Sequence, residues 1–419
     1  MTKALKPFEQ VDFRRLFAGV TTSHLGDQFA LIATPWLVLQ LTGDPLALGL
    51  VLALEGAPRA VFMLLGGAVT DRYSPRLVML VSDILRLILA TAMALVVITG
   101  IVEIWMVNVF ALGFGVIAGF AVPAGQSIVP KVVAKRDLEA GNALIMGGSQ
   151  LVGFVGPFVA GVVIGHSTAT LSGVGWAFAI DAATFAVSAV TLWRMRSGGG
   201  LSPARDADGE TISRAIAAGV AHVWGTTALR TTLLVIAAIN FLFVGPITVG
   251  IPVLAHQRLP EGSVAFGLLL SGFAGGNLAG FAWASAAPRL SGTGLRRVIV
   301  ALLAAITAVL AVLGVSHSTW VDVAVLAALG VGNGYVTIAL ISMIQAQAPE
   351  DLLGRIMALV TFASLGLVPV SAALSGAFAR LDTRGLFIGA SVLMAAVTIW
   401  AAMQTALQTL CDELAPVQG

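Results

Sequence analysis

Gly67-Ala68-Val69-Thr70-Asp71-Arg72-Tyr73-Ser74-Pro75-Arg76 is a polar turn set between two greasy runs. Gly67 would allow helices to approach closely. Asp71 suits accepting from backbone N–H groups or from an arginine at a helix end, and Arg72 and Arg76 suit anionic headgroups. A tight turn with basic anchors is the plainer alternative, but an acid such as Asp71 adds nothing to topology. On either side lie the apolar runs 46–70 and 77–100. Each is long enough to cross a hydrocarbon core of about 30 Å, which takes about 20 residues.

Composition extends that pattern to the whole chain. Hydrophobic residues make up 58% of 419 positions and charged residues 11%, with a mean hydropathy of +0.96. A soluble domain carries about 25% charged residues. Twelve apolar runs follow one another: 16–41, 46–70, 77–100, 104–128, 142–165, 174–195, 230–255, 263–287, 296–315, 320–344, 355–378 and 385–408. Helices are expected, because a lipid-exposed backbone must satisfy its own hydrogen bonds. The alternating segments of about 10 residues that mark a barrel are missing. The first run holds Asp27 and Pro35 and has no small-residue cleavage site, so it reads as a retained helix. The expected class is an all-α membrane protein of twelve transmembrane helices in two six-helix bundles.

Basic residues orient the chain. With the N-terminus inside, 18 of the 23 Lys and Arg fall on inner segments, and only Arg258, Arg380 and Arg384 fall on outer loops. Both termini are therefore expected in the cytoplasm. The net charge of +2 and the pI near 9.0 follow from this bias, so no nucleic-acid partner is expected. The lone Cys411 excludes a disulfide framework. The Gly, Ala and Leu richness fits a multi-pass protein of a bacterial inner membrane.

The chain divides into 1–196, a cytoplasmic linker 197–229, and 230–419. The linker opens Ser197-Gly198-Gly199-Gly200-Leu201-Ser202-Pro203, a flexible composition. It then carries apolar residues at helical spacing over Thr211–Thr226. That stretch is either an interfacial amphipathic helix or an extension of helix seven. The halves echo each other. Pro288–Arg297 is the basic counterpart of Gly67–Arg76 without the acid, and Ala348–Arg355 shares a proline, an acid, a leucine and a base with Val129–Asn142.

Gly67-x-x-x-Asp71-Arg72-x-x-x-Arg76 resembles the loop motif of the major facilitator superfamily, departing from it at Ser74 and Leu77. Ser82-Asp83-x-x-Arg86, Asp181, and Pro349-Glu350-Asp351-Leu352-Leu353-Gly354-Arg355 are similar to its macrolide-efflux and enterobactin-exporter-like branch. The resemblance implies that Gly67, Asp71, Arg72 and Arg76 lock the cytoplasmic side when the transporter faces outward. In helix five, Gly156, Pro157 and Gly161 resemble the motif of the superfamily's antiporters, with Val152 and Ala160 where glycines are expected. That likeness implies a kinked helix sealed against a neighbour without leaking protons. Small-residue packing explains the same residues. Helix four lacks the arginine often found in proton-linked members.

Asp27, Glu55, Arg59, Asp83 and Arg86 interrupt lipid-like stretches. A charge at bilayer depth costs at least about 2.5–3.5 kcal/mol, so it persists only where it is paired, protonated or wet. Two readings stand: a static network of ion pairs, or a proton site in a cavity. Three acids against two bases leave one acid over. Glu55 and Arg59 pair at i, i+4, and Asp27 has no partner on its own helix. Asp27 is the expected proton site and Glu55 the second choice. His24 is a relay or a packed histidine, and Asp181 a capping group or a substrate contact.

Gln28, Trp36, Asp181, Asn240, Asn277, Asn333 and Tyr335 are the candidate substrate-cavity residues, although buried amides also bond helix to helix. Few orienting polar groups in an apolar cavity suit a hydrophobic or amphipathic compound. No P-loop, metal-ligand spacing, or nucleophile with a base occurs, so neither ATP nor enzymatic chemistry is expected. The expectation is a monomeric, lipid-embedded secondary transporter without cofactors, with the proton gradient as its energy source, exporting such compounds by antiport. The alternatives are an exporter or flippase of lipids or siderophore-like metabolites, and a non-transporting sensor or scaffold.

Overall fold

The computed structural model describes residues 3–166, 171–197, 224, 227–286, 293–347 and 366–404. The regular structure of these residues is helical throughout. A short turn at Lys3–Glu9 leads into α1 (Val11–Thr42), α2 (Pro45–Arg72), α3 (Pro75–Ile98), α4 (Ile104–Val132), α5 (Leu138–Gly165) and α6 (Ser172–Arg194). Next, α7 (Thr227–Ile239) passes through a π-turn, Asn240–Val244, into α8 (Gly245–Gln257). Then come α9 (Ser263–Ala286), α10 (Thr293–Val315), α11 (Thr319–Gln347), α12 (Val368–Leu381) and α13 (Thr383–Met403).

Ten helices among the described residues are long and apolar enough to cross a membrane. The 32-residue α1 is not among them. Ser23, His24, Asp27 and Gln28 dilute its apolar character. The run expected at 355–378 begins outside the described residues, which hold its end as the 14-residue α12. The amphipathic stretch Thr211–Thr226, apart from Trp224, and the loop Ala348–Arg355 also lie outside them.

Local sequence sets the turns. Gly43 takes φ +62°, ending α1, and Asp44 then caps α2 by accepting from the Leu46 N–H at 2.9 Å, with Pro45 in the first turn. Ser74 caps α3 in the same way, accepting from the Leu77 N–H at 3.1 Å ahead of Pro75. A side-chain acceptor followed by proline satisfies an orphan donor and presets the helical φ. Ser74, the departure from the loop motif, therefore works as a helix cap.

The chain forms two compact units: Met1–Arg205 with Ala255–Ser271, and Asp206–Leu254 with Gly272–Gly419. Within the first, α2 lies on α4 through Gly66, Gly115 and Gly119. A Cβ on any of these would run into facing backbone at Gly119, Glu55 or Phe62. Within the second, Gly276 and Gly280 of α9 meet Gly330 and Gly334 of α11 in the same manner. Lipid gives helices no hydrophobic reason to associate, so small residues that bring backbones together supply van der Waals contact instead.

The seam between α1 and α6 is different. Phe13, Leu16, Gly19, Ser23, Gly26 and Phe29 are buried at helical spacing, one face only, whereas Ile32 through Leu39 is buried on every face. Gly19 and Gly26 abut a polar stripe on α6, formed by Asp181, Thr184, Ser188 and Thr191. The half of α1 nearer the N-terminus is thus open on one side, and its other end is enclosed.

Candidate functional site

A cavity of about 450 Å³ lies along the open half of α1. Its walls are apolar (Leu16, Val20, Met79, Val122, Ile145 and Met146), and Gln126 and Asn142 add amides. Asp27, Asp83 and Arg86 line it with His24 and Ser188. Asn142 and Met146 are exposed, so the cavity reaches solvent-accessible surface near the start of α5. Of the five intramembrane charges, Glu55 and Arg59 are not in its lining.

Arg86 is the centre of the site. It is 8% exposed, and its guanidinium sits between the rings of Phe114 and Phe185, 5.4 and 5.5 Å from their centroids. Stacking of this kind is worth about 2 kcal/mol when desolvated, and it fixes the plane of the guanidinium. Arg86 Nη1 is 4.0 Å from Asp27 Oδ1, and His24 Nδ1 is 3.9 Å from Asp27 Oδ2. The Asp27 side chain keeps 35% exposure. Asp83, one turn before Arg86, is buried and accepts the Ser188 hydroxyl at 2.6 Å. Glu55 and Arg59 pair along α2 at 3.9 Å.

Of the three acids counted from the sequence, Asp83 and not Asp27 is the one without an ion pair: Asp27 has His24 and Arg86 on either side, and Asp83 has the Ser188 hydroxyl. A fourth acid, Asp181, is fully buried with neither carboxyl oxygen hydrogen-bonded. Asp27 and Arg86 are its electrostatic neighbours. Composition cannot reveal this, because the pairing runs between helices. The stripe Asp181, Thr184, Ser188 and Thr191 carries a legible signal: polar residues three or four apart on an apolar helix, aimed at one neighbour.

The turn quoted first has two corrections. A Cβ at Gly67 would meet nothing within 4 Å, so the close approach belongs to Gly66, one residue earlier and on the α4-facing side. Arg76 serves protein carbonyls rather than headgroups: Nε donates to Leu192 O at 2.7 Å and Nη2 to Trp193 O at 2.6 Å. Arg15 adds a bond to Arg194 O at 2.8 Å. Asp12 accepts the N–H groups of Arg196 and Ser197 at 3.0 and 2.7 Å. Burial alone would raise the Asp12 carboxyl, but its bonds from Ser197, Arg196 and Arg15 outweigh that and hold it below the usual range. Arg72 is exposed at the end of α2, and the Asp71 side chain lies outside the described ones.

In α5, Gly156 packs on Gln28, and a Cβ at Gly161 would come within 2.5 Å of Ser263 O. Ser263 donates to Gly161 O at 3.1 Å, and the Phe158 N–H, just after Pro157, donates to Ser271 Oγ at 3.0 Å. Trp36 meets His256 edge-on at 5.3 Å. These contacts close the first unit around the end of α1 away from the cavity. Gln28, Trp36 and Asp181 of the substrate set are outside the cavity lining. Asn240 donates to Ile236 O at 2.9 Å, Asn333 to Asn277 Oδ1 at 2.9 Å, and Tyr335 stacks near Trp283 at 5.1 Å. Sequence reading also missed Asp322, buried in the first turn of α11, where the helix N-terminus favours an acid.

Residues 2–416 match the family model described as transmembrane secretion effector. The chain is 27% identical over 383 residues to the multidrug efflux pump Tap of Mycobacterium tuberculosis, covering 87% of this chain and 86% of that one. With Tap of Mycolicibacterium fortuitum it shares 29% over 226 residues, which is 52% of this chain and about half of that relative, 54%. The crystal structure of a peptide transporter, POT, in complex with sulfate superposes with a TM-score of 0.74 at 13% identity, over 96% of each chain. At that identity the likeness is one of fold.

Proposed function

Because the chain belongs to the transmembrane secretion effector family of the major facilitator superfamily, we propose that it exports hydrophobic or amphipathic small molecules by proton-coupled antiport. The relatives named as multidrug efflux pumps support the substrate class. Apolar walls with a few polar groups support it too, since such a cavity orients a ligand weakly and accepts many. The proposed machine is a membrane-embedded monomer of two six-helix halves, 1–196 and 230–419, joined by the linker 197–229. Both its termini face the cytoplasm of a bacterial cell.

One observation carries the coupling. Asp27 is partly exposed in a cavity and 4.0 Å from a buried arginine. An acid there can exchange protons with the cavity while its ion pair with Arg86 senses the charge change. Protonating Asp27 removes the attraction between α1 and α3. A difference in that attraction between the two access states is what a proton must supply to bias the cycle.

The test uses purified protein in proteoliposomes, an imposed pH gradient and a lipophilic fluorescent substrate. The gradient should drive substrate accumulation, and Asp27→Asn should abolish it while substrate binding persists. Normal transport by Asp27→Asn overturns the proton assignment. No transport by the wild type with any amphipathic compound would favour the sensor reading.

A further inference from the structure

Asp181 has no part in the mechanism above, yet it is the most isolated ionisable group among the described residues of the first unit. It is 0% exposed, and no protein group hydrogen-bonds either oxygen. An isolated carboxylate in an apolar interior costs so much that the group takes up a proton instead. The groups facing it are few. From α1 come Asp27 and, beyond it, His24; from α3 come Arg86 and Asp83. Asp83 is engaged by Ser188. The other helices packed on α6 are α5, whose sequence holds no charge within the bundle apart from Glu139 in its first turn, and α4, which meets it through Phe110 and Phe114 and whose one charge is Lys131 in its last turn.

Two details join Asp181 to the cavity. Gly26, next to Asp27, offers it bare backbone, since a Cβ there would lie 2.5 Å from Asp181 Oδ1. Arg86 holds Asp27 at 4.0 Å through Nη1 and keeps its Nε without a hydrogen-bond partner. One guanidinium therefore stands among acids from two neighbouring helices, with a donor to spare. It can neutralise either Asp27 or Asp181, and two like charges sharing one cation cannot both be ionised cheaply.

The geometry points to Asp181 as a second proton-carrying carboxyl that shares a single proton with Asp27 across Arg86. In this state Asp181 is the neutral acid, and Asp27 is the carboxylate facing Arg86. When α1 and α6 rearrange, the proton passes from the Asp181 carboxyl to the Asp27 carboxylate, and Arg86 follows the negative charge to Asp181. The total charge of the cluster is unchanged by that step. Asp27, the exposed partner, then exchanges the proton with water in the cavity. The inference rests on the proton-coupled reading and adds the residue that stores the proton out of reach of solvent.

Infrared spectroscopy of the protein in lipid bilayers at neutral pH reads the protonated state directly. A C=O band of a neutral carboxyl should be present in the wild type, lost in Asp181→Asn and kept in Asp27→Asn. In proteoliposomes, Asp181→Asn should retain substrate counterflow, which needs no gradient, and lose gradient-driven accumulation. A group that only packs α6 against α1 would leave the isosteric amide fully coupled. Absence of the band in the wild type, its survival in Asp181→Asn, or undiminished coupling in that variant overturns this inference alone. A wild type that ignores the pH gradient overturns the coupling reading itself. The wild-type band stands as a test even if the variant fails to fold.

Discussion

Arg76 Nε donates to the Leu192 carbonyl oxygen at 2.7 Å, tying the first turn of α3 to the last turn of α6. Arg296, in the first turn of α10, does the same for the end of α13 through Ala402 O at 2.5 Å. The last four carbonyls of a helix have no partner within it. A guanidinium placed there satisfies them and sits at the negative end of the helix dipole. The same device appears in both compact units, on the basic residues of Gly67–Arg76 and its counterpart loop, and Arg15 adds to it at the end of α6.

Arg76→Ala should lower stability by about 1.5 kcal/mol, the scale of a hydrogen bond from a charged donor with partial exposure. Thermal unfolding in detergent measures it. Arg72→Ala, which removes an exposed arginine one turn away, should leave the melting temperature unchanged. Equal losses from both would mean that charge alone, and not the cap on α6, matters at this end.

Asp12 makes stability depend on acid. Its folded carboxyl lies below 3.8, the ordinary value for an aspartate. Its contribution is therefore complete well above that value and is lost as the pH falls through the lower, folded one. Wild type should melt above Asp12→Asn at pH 7, and the gap should close in acid below 3.8. A gap that widens in acid would show that the bonds to Arg196 and Ser197 do not hold the carboxylate.

Adjacent glycines should behave oppositely. Gly66→Ala forces a methyl into the Gly119 backbone, where nothing flexible can yield. Overpacking of this sort costs about 1–3 kcal/mol or more. Gly67→Ala meets open space and should gain up to about 1 kcal/mol from helix propensity. Melting curves of the two variants in detergent decide it; a destabilised Gly67→Ala would restore the close approach to that residue.

Those glycines show where reading the chain stops. The membrane class was legible because burial in lipid demands it of composition; the caps at Asp44 and Ser74 are as local, an acceptor ahead of a proline, but went unread. Gly66 and Gly67 point about 100° apart on the helix, and nothing in one dimension says which side meets α4. Arg76 looks like a headgroup anchor until its partner, 116 residues away, is placed beside it. Asp181 reads as a capping group or a substrate contact, and not as a proton site, for the same reason. Hydrogen bonds within a helix follow from spacing, but the isolation of Asp181 depends on what the helices packed around α6 leave unpaired.

Ser188 offers a last test, because its role depends on whether Asp83 is ionised. The hydroxyl donates to Asp83 Oδ2 at 2.6 Å, and both side chains are buried. If Asp83 carries its charge, Ser188→Ala removes a bond worth about 1.5–3 kcal/mol and leaves a buried oxygen unsatisfied. Asp83→Asn would then make the serine far less important, since an amide oxygen is a weaker acceptor than a carboxylate. The two changes together should cost less than their sum, by a coupling of about 1–2 kcal/mol in a double-mutant cycle. Strict additivity would mean that Asp83 holds its own proton, and Asp27 would then be the one carboxylate that Arg86 balances in this state.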